Sequence, residues 1–265
     1  MAQTHSTALA SLARQLGRPP RDVAFLEALD DAARQQRTRD IEHAQSLQLR
    51  RLLQEAFIER FAGTFKRLAA GGRLIPDALN AKLCTGVFGP ALTANLSYFT
   101  PIDQAVRLAK HFDDDFLTDT ARHQVPERAQ ALLAALPVEI MRGVTRKLLA
   151  AQEFAIMGGF TDYLPEDKAL VLVKEIHGPA ERLRVSAYAQ RKDRIARIMA
   201  QLDDDAVAAQ IAAAAAEPEL MHEVVLTLAE MPAPEQQRMA RISDRVDPAL
   251  RGALKAQLAA DPIAP

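Results

Sequence analysis

Residues 158–176 read GGFTDYLPEDKALVLVKEI, and the reading of this stretch decides the class of the chain. Taken alone, the apolar run Ala169–Ile176 fits either a buried strand or a buried helix. What precedes it is Leu164-Pro165-Glu166-Asp167, and a proline followed by acids is a helix start. Proline at the first helical position gives up no hydrogen bond, because that N–H has no partner inside the helix. Acids in the first turn meet the positive end of the macrodipole, and Asp can cap. The run is therefore expected to be helical.

The same word, an apolar residue followed by Pro or Asp and then acids, returns along the chain. It stands at Phe112-Asp113-Asp114-Asp115, Leu136-Pro137-Val138-Glu139, Leu202-Asp203-Asp204-Asp205 and Met231-Pro232-Ala233-Pro234-Glu235. With the word at Leu164, the starts lie 24, 28, 38 and 29 residues apart. Inside several units a second break falls at Pro126-Glu127, Pro179-Ala180-Glu181, Pro218-Glu219 or Asp247-Pro248. A unit of helix, break and helix, about 25–30 residues long, is the signature of a stacked helical repeat. The overlong unit from Leu164 carries a third helix, RKDRIARIMAQL.

Composition agrees. The chain has only 11 glycines in 265 residues, and strand-rich and nucleotide-binding folds spend glycine on hairpins and phosphate loops. No Asn-Gly, Asp-Gly, GxGxxG or GxxxxGK[ST] occurs. Alanine and leucine, both good helix formers, dominate. The expected class is all-α: a right-handed helical-repeat superhelix (α-solenoid) over 99–258, preceded by an N-terminal helical region over 21–98. Residues 1–20 form a short helix or a partly disordered segment, and 259–265 a tail. Within the N-terminal region, Leu49, Leu53, Phe57, Phe61, Phe65 and Leu68 lie three or four apart and form one apolar stripe, which Gly71-Gly72 ends. Between Lys82 and Asp103 there is no Asp, Glu, Lys or Arg. That stretch has the length of a membrane span, but Pro90 divides it into a hairpin of two short helices suited to a protein core.

The phrases YLPEDKALVLVKEI, ALPVEIMRGVTRKLL and QLDDDAVAAQIAAA resemble the cytosolic N-terminal domain of MgtE-type magnesium transporters. That domain is a right-handed superhelix of short helices, many starting at Leu-Pro-x-Glu/Asp. The resemblance covers about residues 101–258, where the units are longer and less regular than the family's. It implies a superhelical fold and makes Mg²⁺ a conceivable ligand.

Two acidic clusters, Asp113, Asp114, Asp115 with Asp119, and Asp203, Asp204, Asp205, are the candidate Mg²⁺ ligands, since hard cations want several converging oxygens. Helix capping and dipole compensation are the expected role of the same acids. The six histidines form no HExxH, Cys84 is the only cysteine and stands in an apolar context, and no GxSxG is present. The reading is a non-enzyme. Phe57, Phe61 and Phe65, with Arg60, Lys66 and Arg67, suit either a core stripe flanked by solvated cations or a face for a partner or an anionic membrane. The core reading is preferred for the phenylalanines. A net charge of -1 and thin aromatic interleaving of the basic runs argue against nucleic acid. No secretory signal pattern opens the chain, so a cytoplasmic location is expected. The expected function is an interaction or regulatory module with a protein partner. A membrane-peripheral or divalent-cation-sensing accessory is the alternative, and an enzyme without a recognisable motif the third reading.

Overall fold

A computed structural model describes residues 39–246, and the segments expected at 1–20 and 259–265 lie outside them, as does the break at Asp247-Pro248. Every regular element among the described residues is a helix. The chain divides into two compact units, Met1–Leu68 and Ala69–Pro265, so the boundary expected at residue 98 falls within the second.

Helix α1 (Arg39–Gly72) crosses that division and is the longest element, ending at the expected glycine pair. Its apolar stripe is rotated from the expected one. Ile58, Phe65 and Ala69 are buried, whereas Phe61 and Leu68, expected in the core, are each 39% exposed. Spacing of three and four defines a broad arc on a helix, but not which edge of that arc is covered.

The second unit continues through α2 (Asp77–Leu83), a π turn (Cys84–Phe88), α3 (Gly89–Ser97), α4 (Ile102–Ala109), α5 (Asp114–Arg122), α6 (Pro126–Ala135), α7 (Val138–Ala150) and α8 (Phe154–Thr161). It then runs through α9 (Glu166–Leu172) with a 3-10 turn (Val173–Glu175), α10 (Pro179–Tyr188), α11 (Lys192–Ala200), α12 (Asp204–Ala216), α13 (Pro218–Ala229) and α14 (Ala233–Val246). The stretch ALVLVKEI is α-helical to Leu172 and 3-10 through Glu175, consistent with its proline–acid start, and only its last residue, Ile176, is extended. Pro90 separates two short helices, and Gly89 makes the break at φ 71°, a left-handed value that glycine adopts without strain.

The prolines occupy two kinds of helix start. Pro126, Pro179 and Pro218 stand at the first helical position, where the missing N–H costs nothing. In the recurring word, Pro137 and Pro165 stand one residue earlier than expected, as N-caps with ψ near 140°. There the proline carbonyl, not the ring, starts the helix: Ala169 N donates to Pro165 O at 2.9 Å. Pro76 and Pro101 start α2 and α4 in the same way.

Helices pack on the helix two places along the chain. One row runs α2, α4, α6, α8, α10, α12, α14, and a second runs α3, α5, α7, α9, α11, α13, with each member touching the next in its row. The three-helix unit beginning at Leu164 shifts the phase. Before it the recurring word starts odd-numbered helices (α5, α7, α9), and after it even-numbered ones (α12, α14). The apolar core follows the chain as successive clusters, one around Leu133, Met141, Phe160 and Leu172, another around Val207, Ile211, Val224 and Ile242.

A close contact between neighbours, with backbone as the obstacle, joins α8 to α10 at Gly158. A Cβ added there would lie 2.6 Å from the Val185 carbonyl oxygen and 2.7 Å from Tyr188 Cβ. Because the first obstacle is backbone, Gly158→Ala is expected to destabilise by about 2 kcal/mol through overpacking. Chemical denaturation reads the loss, and a stability equal to wild type would refute so close an approach.

Candidate functional site

Several acids of the recurring word are already engaged by the fold. Asp113 caps α5, its Oδ1 accepting from Phe116 N at 2.7 Å, and Asp203 caps α12, accepting from Ala206 N at 2.7 Å. Each side chain thereby satisfies one of the first-turn N–H groups that have no partner within the helix. The next acids face cations one unit further along. Asp115 accepts from Lys147 Nζ at 2.7 Å, and Asp204 accepts from Arg238 Nε at 2.8 Å and Arg245 Nη2 at 3.3 Å. Asp119 pairs with Arg122, and Asp114 fills the space beside Gly143 of α7, where a Cβ would collide with its carboxylate. The hydrogen bond from Lys147 to Asp115, reinforced by the charges of Asp114 and Asp113, raises the lysine pKa above its ordinary value.

No group of three or more His, Cys, Asp or Glu side chains placed to hold a metal ion occurs among the described residues. Asp113 and Asp203 turn towards backbone N–H groups, and Asp115, Asp119 and Asp204 towards cations. Asp203→Ala is expected to cost about 1 kcal/mol, the usual loss for an Asp cap, while Asp203→Asn costs only a few tenths. Thermal melting distinguishes the two, and equal losses would show that Asp203 stabilises α12 through its charge rather than through the cap.

On α1, Arg60, Lys66 and Arg67 are all exposed, and the Arg60 guanidinium lies 6.0 Å from the Phe61 ring centroid. The rings of Phe57, Phe61 and Phe65 form a cluster, the first pair tilted with centroids 4.9 Å apart and the second edge-on at 6.4 Å. Phe65 is buried and Phe61 half open. Cys84 is buried, and burial pushes its thiol pKa up, away from the range of a reactive thiolate.

The polar chemistry that the motifs did not reveal lies between helices, at a recurring offset. Arg107 pairs with Asp77 (30 residues apart), Arg122 with Glu153 (31), Arg197 with Glu166 (31), Lys192 with Glu223 (31) and Arg184 with Glu217 (33). Lysine and arginine also close helix C-termini from a later helix. Lys168 Nζ donates to the carbonyls of Leu133, Ala134 and Leu136 at 3.1, 2.6 and 2.6 Å, where α6 ends. Arg238 does the same at the end of α11, donating to Ala200 O at 2.8 Å and Leu202 O at 2.6 Å. A cation there meets both the unsatisfied carbonyls and the negative end of the dipole. The signal was present in the sequence as opposite charges about one unit apart, a spacing that local helix rules do not examine.

Two of these polar groups are deeply buried. Asp162, 6% exposed, accepts from Gln190 N at 2.9 Å and Arg191 N at 3.0 Å, and so anchors the entry to α11. Glu223, 4% exposed, holds Lys192 Nζ between its two oxygens at 2.8 and 2.9 Å and accepts from Thr227 Oγ1 at 3.3 Å. Nearby, burial holds the Arg194 guanidinium below its ordinary pKa, with a further contribution from the charge of Arg191.

No helix among the described residues is long and apolar enough to cross a membrane. Compared with known proteins, the chain matches no family model, no curated protein and no solved structure.

Proposed function

We propose that the second unit is a right-handed helical-repeat superhelix of the kind found in the MgtE-type N-terminal domain, and that it acts without catalysis by binding a protein partner over an extended surface. The observation that carries the reading is the packing of each helix on the helix two places along, reinforced by ion pairs at a nearly constant offset of about one unit. Quasi-linear stacking leaves a long surface made of similar elements, and proteins built this way generally work through that surface. The placement of the buried ionic groups supports the same reading. Asp162 and Glu223 each hold a neighbouring helix, which is the work of a scaffold.

The test is to introduce a photo-crosslinking amino acid, one site at a time, at exposed positions in separate layers: Arg128 on α6, Lys174 before α10 and Arg241 on α14. Capture of one and the same protein from at least two of these layers in cells is the expected result. Capture from a single layer only would point to a local site, and no specific product from any position would overturn the proposal.

A further inference from the structure

Large apolar side chains open to solvent are confined to one part of the described chain. All seven fall between Leu52 and Ile102, and none lies in 103–246. In the second unit the most open are Leu74, 88% exposed, Val87, 72%, and Leu79, 52%. Leu79, Lys82 and Gly86-Val87 recur at helical spacing along α2 and the π turn, and all are exposed, so they share the solvent face of that segment. Leu74 and Arg73, also exposed, stand in the turn that leads into it.

Charge divides at the same place. Residues 60–102 hold five cations, Arg60, Lys66, Arg67, Arg73 and Lys82, against one acid, Asp77. Residues 103–246 hold 18 cations against 23 acids. Asp77 is itself occupied, accepting from Arg107 Nε at 2.7 Å. The net charge of -1 for the whole chain therefore conceals a basic, apolar segment followed by an acidic one.

We propose that the face formed by Arg73, Leu74, Leu79, Lys82 and Val87 docks on the surface of an anionic lipid bilayer. Exposed leucine and valine can enter the boundary between headgroups and acyl chains, while the adjacent cations attract anionic headgroups. The acidic remainder of the unit is repelled by the same surface, so only this face is drawn to it. Leu74 and Val87 stand out from the surface rather than lining a groove, which suits a fluid boundary that needs no shape complementarity. Two copies paired through this face would bring Arg73 and Lys82 against further cations with no acid opposite, an arrangement that disfavours self-association. The proposal stands independently of the protein partner proposed above.

Flotation of the full chain with phosphatidylcholine vesicles, with and without about 30 mol% phosphatidylserine, tests it. Wild type is expected to bind the anionic vesicles about tenfold or more tightly than the neutral ones, and to lose that preference at high salt. Arg73→Ala/Lys82→Ala is expected to lower the partition coefficient about 25-fold, at roughly fivefold per cation. Leu74→Glu/Val87→Glu should abolish binding without altering the circular dichroism spectrum or the melting temperature, because both side chains are open to water. Equal wild-type binding to both vesicle types, or unchanged binding by either double variant, would overturn the proposal. A dimer in light scattering that Leu74→Glu/Val87→Glu dissociates would assign the face to a second copy instead. A melting temperature lowered by that variant would show that the chain itself covers the face, and would overturn the proposal equally.

Discussion

Glu223→Ala is expected to destabilise the second unit by about 3–5 kcal/mol, because it leaves the Lys192 ammonium buried without its counter-charge. The pair is well shielded, with side-chain exposures of 5% for Glu223 and 19% for Lys192. Lys192 also donates to Ser186 O at 2.6 Å, at the end of α10, so the ammonium joins three helices, α10, α11 and α13. The loss is expected in urea denaturation as an earlier midpoint, and in hydrogen exchange as faster opening of α11 and α13. Replacing both partners, in Lys192→Met/Glu223→Leu, should recover most of the loss, since an apolar pair removes the desolvation cost together with the attraction. A Glu223→Ala loss below about 1 kcal/mol would mean that solvent reaches the ammonium, as it does in exposed pairs.

Asp162→Ala is expected to cost about 2–4 kcal/mol. Here the change strands two backbone donors rather than a charge. Gln190 N and Arg191 N both point at this carboxylate just before α11 begins, and neither has a place in the helix that follows. Asp162→Asn keeps one acceptor oxygen and should lose about half as much. The distinguishing measurement is amide exchange at Gln190 and Arg191. Both should accelerate in the alanine variant beyond what the change in global stability explains. If their exchange follows the global value alone, the carboxylate does not hold that turn.

These two residues also mark where sequence reading stops. Asp162 precedes the recurring word by two residues but belongs to none of its positions, and Glu223 sits mid-helix like any solvated acid. Their importance comes from partners 28 to 31 residues away, a distance at which no local pattern operates. Asp113 and Asp203 were legible because a cap acts on an N–H three residues on. The stripe on α1 lies between these cases. Its period was readable, but the covered edge proved to be Ile58, Phe65 and Ala69 rather than Phe61 and Leu68.

The sequence by itself determined the all-helical class and most of the helix starts, because prolines, acidic caps and scarce glycine act through bonds made within one turn. It also carried the segregation of charge on which the membrane proposal rests. Tertiary structure decided which helices are neighbours, and it moved the recurring word from the odd row to the even row once the three-helix unit had intervened. It also set which acids became buried anchors. Burial and partnership depend on surfaces brought together from distant parts of the chain, and an individual helix carries no record of the neighbour it will meet.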